Sequence, residues 1–230
     1  MERRDFIKRR KAGFQPRPRI LVVCEGKVTE PSYFREMARE ERARIEVIVK
    51  EDGGGPKTIV ERAALLKKEA ENQAKKLRDD FLKYDEVWCV FDIDAHPKIP
   101  DALQQVRAHH LALAISNPCF ELWILLHFQD QHGHIERGLA QKHCKGHIRG
   151  YKKHVSFQSL AANYAEAVRR ATNLEVWQRQ QGRTPPDANP STGVHRLTER
   201  IRELGSAAVL AHRQNQLLRM RPQSRRNFCE

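Results

Sequence analysis

Glu25, Asp92 and Asp94 each stand at the end of an apolar run. Ile20-Leu21-Val22-Val23-Cys24 leads straight into Glu25-Gly26, and Val87-Trp88-Cys89-Val90-Phe91 leads into Asp92-Ile93-Asp94. Carboxylates gathered in one place bind hard divalent cations such as Mg2+ or Mn2+ through oxygen. A cation held that way activates water and steadies charge on a phosphoryl group. The chemistry these residues predict is therefore metal-assisted attack on phosphate. Asp92 and Asp94 would position the metal, and Glu25 would share it or move a proton. The two aspartates alternate along an extended chain, so both reach one ion only if the chain turns at the strand end. Sharing also requires Glu25 to lie within about 10 Å of the aspartates, given how far Mg2+ ligands reach.

Other residues extend this candidate site. Glu30 sits at a predicted helix start, where a carboxylate also complements the helix dipole. Glu121 lies between Pro118-Cys119-Phe120 and Leu122-Trp123-Ile124. A carboxylate buried there is costly unless paired or metal-bound. Gly26, Lys27, Ser116 and Asn117 are candidate phosphate contacts, and Asn117 serves equally well as turn chemistry before Pro118. Lys152 and Lys153, beside Tyr151, are a candidate basic patch with a solvated surface as the plain alternative. His96, just past the acid pair, is a candidate proton carrier or metal neighbour.

The elements around these residues must bring them together. Short, continuous, β-branched and aromatic runs read as strands buried on both faces. Predicted strands cover 19–26, Ile45 to Val49, Glu86 to Phe91 and Leu111 to Ile115. Between them lie predicted helices from Thr29, as N-cap, to about Arg42, over 57–79 and around 101–109, with a buried helix starting at Phe120. The Gly53-Gly54-Gly55-Pro56 break lacks the Gly-Lys-Ser/Thr ending of a P-loop and reads as a strand-to-helix connection. Strands alternating with helices predict an α/β fold with a mainly parallel sheet. In such a sheet ligands bind beyond the carboxyl ends of the strands, where Glu25 and Asp92 fall. From about Gln129 the chain turns polar and rich in His and Arg. Helices are predicted from Gln158 to Gln180 and from His195 to Leu204, the latter capped by Ser191 or Thr192. The expected organisation is a basic arm over 1–18, an α/β core over 19–128, and a basic helical annex over 129–230 packed on that core.

The chain has 230 residues and a net charge of +13, which favours an anionic partner, most often nucleic acid. Its five cysteines are an odd number with no C-x-x-C pair, which points to a reducing compartment rather than a disulfide scaffold. The histidines and cysteine of 132–147 match no standard zinc spacing. No secretory signal or membrane-length apolar run stands out, so the expected location is cytoplasmic.

Three segments together resemble a known family. They are Val23-Cys24-Glu25-Gly26 with Thr29-Glu30-Pro31-Ser32-Tyr33-Phe34, then Val90-Phe91-Asp92-Ile93-Asp94, then Ile115-Ser116-Asn117-Pro118-Cys119-Phe120-Glu121-Leu122-Trp123. A weaker echo is Asn189-Pro190-Ser191-Thr192. A strand ending Glu-Gly and a later strand ending Asp-x-Asp resemble the Toprim fold of topoisomerases, bacterial primases and OLD-family nucleases. The ordered set, from about Arg19 to Leu204, is similar to the RloB family of Toprim-like bacterial proteins. That resemblance implies a Toprim-like sheet flanked by helices. It implies a Mg2+- or Mn2+-dependent nuclease acting in phage defence or abortive infection. It also implies Glu30 as a second-metal acid, nucleic acid as substrate, and an ATPase partner encoded nearby, with self-association left open. The alternative reading is a nucleic-acid-binding or partner-regulated effector without catalysis, using the same basic surface.

Overall fold

The computed structural model describes residues 18–43, 45–49, 55–93, 99–151 and 155–220. The predicted basic arm, the Gly53-Gly54 break, Asp94, His96, Lys152 and Lys153 lie outside the described residues, apart from residue 18 itself.

The structure is α/β. Strands β1 (Ile20–Cys24), β2 (Ile45–Val49), β3 (Glu86–Asp92) and β4 (Ala112–Asn117) pair in parallel. A short β5 (Ser191–Thr192) pairs antiparallel with β4, and the sheet order is β2-β1-β3-β4-β5. The central β1 is fully buried along its length, which explains its unbroken apolar run. Its alternate side chains enter two cores. Ile20, Val22 and Cys24 join one; Leu21 and Val23 join the other.

Helix α1 (Thr29–Glu40) covers the first face, whereas α2 (Pro56–Leu77) and α3 (Ile99–Ala108) cover the second. The strand order accounts for this split. The chain leaves β1 toward β2, then returns past β1 to β3, and right-handed crossovers in opposite directions place their helices on opposite faces. Beyond β4, helices α4 (Glu121–Leu126), α5 (Arg137–His147), α6 (Phe157–Leu160), α7 (Tyr164–Gln180) and α8 (Val194–Met220) follow. Trp123 of α4, Cys144 of α5, Leu174 of α7 and Leu197 of α8 share the apolar cluster of α1 and the strands. Residues past 129 thus build one face of the central sheet and supply its edge strand.

Several boundaries differ from expectation. Val28, not Thr29, holds the cap position of α1, and Thr29 is its first residue. Helix α2 ends at Arg78 in the left-handed region (φ 52), where the Arg78 backbone N–H bonds back to the last turn. Ser191 and Thr192 form an edge strand because Ser116 and Asn117 of β4 offer pairing partners. Thr192 still does cap-like work, its Oγ1 accepting the Val194 N–H at 3.3 Å. Helix α8 continues well past Leu204. It crosses the end of α1 at Gly205, where a Cβ would lie 2.0 Å from the Glu41 carbonyl oxygen. No helix among the described residues is long and apolar enough to cross a membrane.

Candidate active site

The strand order makes a crevice at one defined place. Connections diverge to either side of β1 between β1 and β3, so the carboxyl ends of these two strands border an open crevice. Glu25 follows β1 and Asp92 ends β3. The strands are in parallel register, Cys24 opposite Val90, and the Glu25 N–H continues the ladder to the Val90 carbonyl at 2.9 Å. The Glu25 Oε2 accepts the Asp92 backbone N–H at 3.3 Å. That bond places the Glu25 carboxylate against the end of β3, inside the reach a shared ion requires.

Two further acids enter from helix starts on the same side. Glu30, in the first turn of α1, is 7% exposed, and Glu121, the first residue of α4, is 6% exposed. Glu25, Gly26, Lys27, Glu30, Asp92 and Glu121 all line one cleft of about 340 Å3. Gly26 is there for closeness: a Cβ built on it would stand 2.0 Å from the Glu30 Oε2. Any side chain at 26 displaces the Glu30 carboxylate.

The sequence reading missed three polar partners. The Arg137 Nη2 donates to the Asp92 Oδ2 at 2.9 Å, forming an ion pair whose side chains are 40% and 15% exposed. The Gln141 Nε2 and the Tyr151 hydroxyl both donate to the Glu121 Oε1 at 3.1 Å. Arg137 and Gln141 lie four residues apart on α5, so both face the cleft from one helix side. That i, i+4 spacing was visible in the sequence, but nothing in a polar, basic stretch marks it as special. Tyr151 stood out only as a neighbour of Lys152.

The electrostatics favour a cation. Burial raises the Asp92 carboxyl well above its ordinary value, and the Glu30 charge adds to that rise; Arg137 opposes it. Burial likewise raises Glu30, and the charges of Glu121 and Glu25 push the same way. Carboxyls with strengthened proton affinity gain from any positive charge brought among them. An all-oxygen set of this kind suits Mg2+ or Mn2+ better than softer metals. Among the described residues, no three His, Cys, Asp or Glu side chains are grouped as a ready-made metal cage. Asp92 is held by Arg137 and Glu121 by Gln141 and Tyr151. Mg2+ keeps several waters and needs only one or two carboxylates, so the donor set still fits such an ion.

Ser116 and Asn117 are not at the cleft. The Ser116 hydroxyl, 1% exposed, is within 2.9 Å of the Thr192 hydroxyl. The Asn117 Nδ2 donates to the Pro186 carbonyl at 2.9 Å, and its Oδ1 accepts from the Asn189 Nδ2 at 3.0 Å. Asn189 also accepts the Ile135 N–H at 3.0 Å. These side chains stitch the 131–136 and 184–190 segments to the end of β4. Their polar atoms are spent within the fold, as buried polar groups require. The histidines near Cys144 do not gather around a zinc. His147 stacks on Phe128, His132 packs on Trp177, and the Cys144 Sγ donates to the Glu121 carbonyl at 3.4 Å.

No curated protein and no solved structure matches the chain. The family model of RloB-like proteins matches residues 20–201, from the first residue of β1 into α8 and including every acid of the cleft. With its switch-point cleft lying inside that span, the chain belongs to the RloB-like family.

Proposed function

We propose that this protein is a metal-dependent phosphodiesterase that cuts nucleic acid, with Glu25 and Asp92 at the centre of its site. The observation that carries the reading is the convergence of four carboxylates from β1, α1, β3 and α4 on one cleft. They meet where the order of the described strands opens a crevice between β1 and β3. The net charge of +13 supports a polyanionic substrate. A bound Mg2+ or Mn2+ would supply Lewis acidity and a nucleophilic water.

The chain's own residues divide the remaining work. Asp92 and Glu25 offer neighbouring oxygen ligands at the strand ends, and Glu30, beside Gly26, offers a ligand for a second ion. Asp94 completes the Asp-x-Asp segment and is proposed with them. Glu30, whose proton affinity burial raises, is also a candidate to carry a proton. Lys27 is exposed at the cleft wall and Arg137 reaches its interior, so both can meet nonbridging phosphate oxygens. Gln141 and Tyr151 hold Glu121 in place.

The resemblance of the strand-end segments to Toprim nucleases supports this chemistry. Membership in the RloB-like family supports a defence-related role; that the target is phage and that an ATPase partner takes part belong to the proposal. The test is cleavage of single- and double-stranded DNA and RNA by purified protein with Mg2+ or Mn2+. Glu25→Gln and Asp92→Asn should each abolish cleavage while leaving the thermal midpoint within a few degrees. Cleavage that persists in both variants overturns the assignment.

A further inference from the structure

Another cavity, lined by arginine side chains over a largely apolar wall, lies at the β5 edge of the sheet. It measures about 130 Å3 and sits between the end of α7, the 183–190 segment and β5. Arg179, Arg183 and Arg196 line it, with Glu175 as the one carboxylate. The Glu175 Oε1 accepts from Arg179 and, at 2.9 Å, from the Arg196 Nη1. The Arg183 Nε donates to the Gln178 Oε1 at 2.7 Å, and its guanidinium lies 5.2 Å from the Trp177 ring centre. One carboxylate against three guanidiniums leaves the cavity strongly positive. A guanidinium carries five N–H donors. Among the described residues the remaining donors of these three arginines have no protein acceptor. His195, whose Nε2 is 3.3 Å from the Glu175 Oε2, adds no lasting charge, because burial and then Arg196 hold its pKa below the usual value.

The walls are held firmly. Gln178, 2% exposed, donates from Nε2 to the Pro190 carbonyl at 2.8 Å, and the Arg183 N–H returns to the Gln178 carbonyl at 2.9 Å. Ser191 Oγ donates to the Ala188 carbonyl at 2.8 Å. The arginines themselves remain reachable, the Arg179 and Arg196 side chains being 65% and 45% exposed. Fixed walls carrying several guanidinium forks suit a tetrahedral oxyanion.

The position relative to the acidic cleft matters most. Asp92 pairs with Ser116 and Ser116 with Thr192 at the floor of the cavity. Two strand steps separate them, about 10 Å at ordinary strand spacing. The two sites are also tied through side chains. Arg137 of the cleft is two residues from Ile135, Ile135 bonds Asn189, Asn189 bonds Asn117, and Asn117 bonds Pro186 in the cavity's own loop.

We propose that the Arg179–Arg183–Arg196 cavity is a backbone-phosphate subsite for the nucleic-acid strand, holding a phosphate a few nucleotides from the one in the acidic cleft. This rests on the phosphodiesterase reading for the placement of the strand, but not for its test. Strand binding is measured by fluorescence anisotropy on the full chain in EDTA, so that no cleavage enters. The probes are labelled 12-nucleotide single strands of DNA and of RNA, over a series of salt concentrations. Arg179→Gln/Arg183→Gln is the variant of choice, because neither side chain bridges α7 to α8, and its thermal midpoint is measured against wild type to separate loss of binding from loss of fold. It should weaken binding about tenfold and make the log–log salt dependence shallower by about 0.7 for each phosphate that the variant no longer neutralises. Arg179→Lys/Arg183→Lys should recover the slope while recovering affinity only in part. Unchanged affinity overturns the subsite, and so does weaker binding with an unchanged slope. Absence of cleavage by the wild-type protein under every metal bears only on the phosphodiesterase reading.

Discussion

Arg137 and a divalent cation compete for the same oxygen, and that competition has a definite sign. Replacing Arg137 with Met removes the charge and keeps an apolar stem. The ion pair it breaks, Arg137 Nη2 to Asp92 Oδ2, spans 2.9 Å. At an effective dielectric near 20, such a contact is worth about 6 kcal/mol before desolvation. The Arg137 side chain is 40% exposed, so screening reduces the net value to about 1–2 kcal/mol. In EDTA, Arg137→Met should therefore lose about 1–2 kcal/mol of unfolding free energy in urea. In Mg2+ the order reverses. With the guanidinium gone, the ion no longer competes with it for Asp92, and the ion's affinity should rise about tenfold. Calorimetric titration with Mg2+ reads this directly, and the Mg2+-dependent shift of the urea midpoint reads it independently. Mg2+ binding that is unchanged or weaker in Arg137→Met would refute the idea that Asp92 is an ion ligand held by a resident arginine.

Two further outcomes follow from the geometry. Gly26→Ala should push the Glu30 carboxylate aside without changing any charge, since the added Cβ would meet its Oε2 at 2.0 Å. Cleavage should fall at least tenfold with a thermal midpoint close to wild type, and a fully active Gly26→Ala protein would remove Glu30 from the mechanism. His127 is 2% exposed, its Nδ1 donates to the Trp123 carbonyl at 3.0 Å, and its Nε2 has no partner. Burial lowers its pKa to about 4, with the Arg170 charge acting in the same direction. A lowered folded pKa means that its contribution is intact above about pH 6.5 and is lost as pH falls toward 4. The loss over that window is about 3 kcal/mol. Urea unfolding between pH 4 and 7 should be visibly flatter for His127→Phe than for wild type, and equal slopes would show that another group carries the acid sensitivity.

Periodicity and end signals are local, and they carried a good part of the architecture. The unbroken, β-branched run Ile20 to Cys24 reads as a strand buried on both faces, and in the structure each of its residues is fully buried. The alternation of strands and helices through β4 required a parallel α/β layer, and Glu25 and Asp92 had to emerge at carboxyl ends because they follow those strands directly. What no local signal encodes is which strand lies beside which. That β1 neighbours β3, so that Glu25 Oε2 reaches the Asp92 N–H, came from the sheet order alone. Ser191-Thr192 is too short to announce a strand, and it became one only because β4 had an open edge. The same holds for the partners of the acids. Arg137 lies 45 residues from Asp92, and Gln141 and Tyr151 lie 20 and 30 from Glu121; pairings across such separations depend on packing rather than spacing. Asn117 shows the converse: its position allowed a phosphate contact or turn chemistry equally, and tertiary structure spent its amide on Pro186 and Asn189. The sequence by itself determined which acids sit at strand ends, because strand and helix periods are written in consecutive residues. Only the tertiary structure decided which of them share a cleft, and which cations and hydrogen-bond donors answer them, because those contacts join residues far apart in the chain.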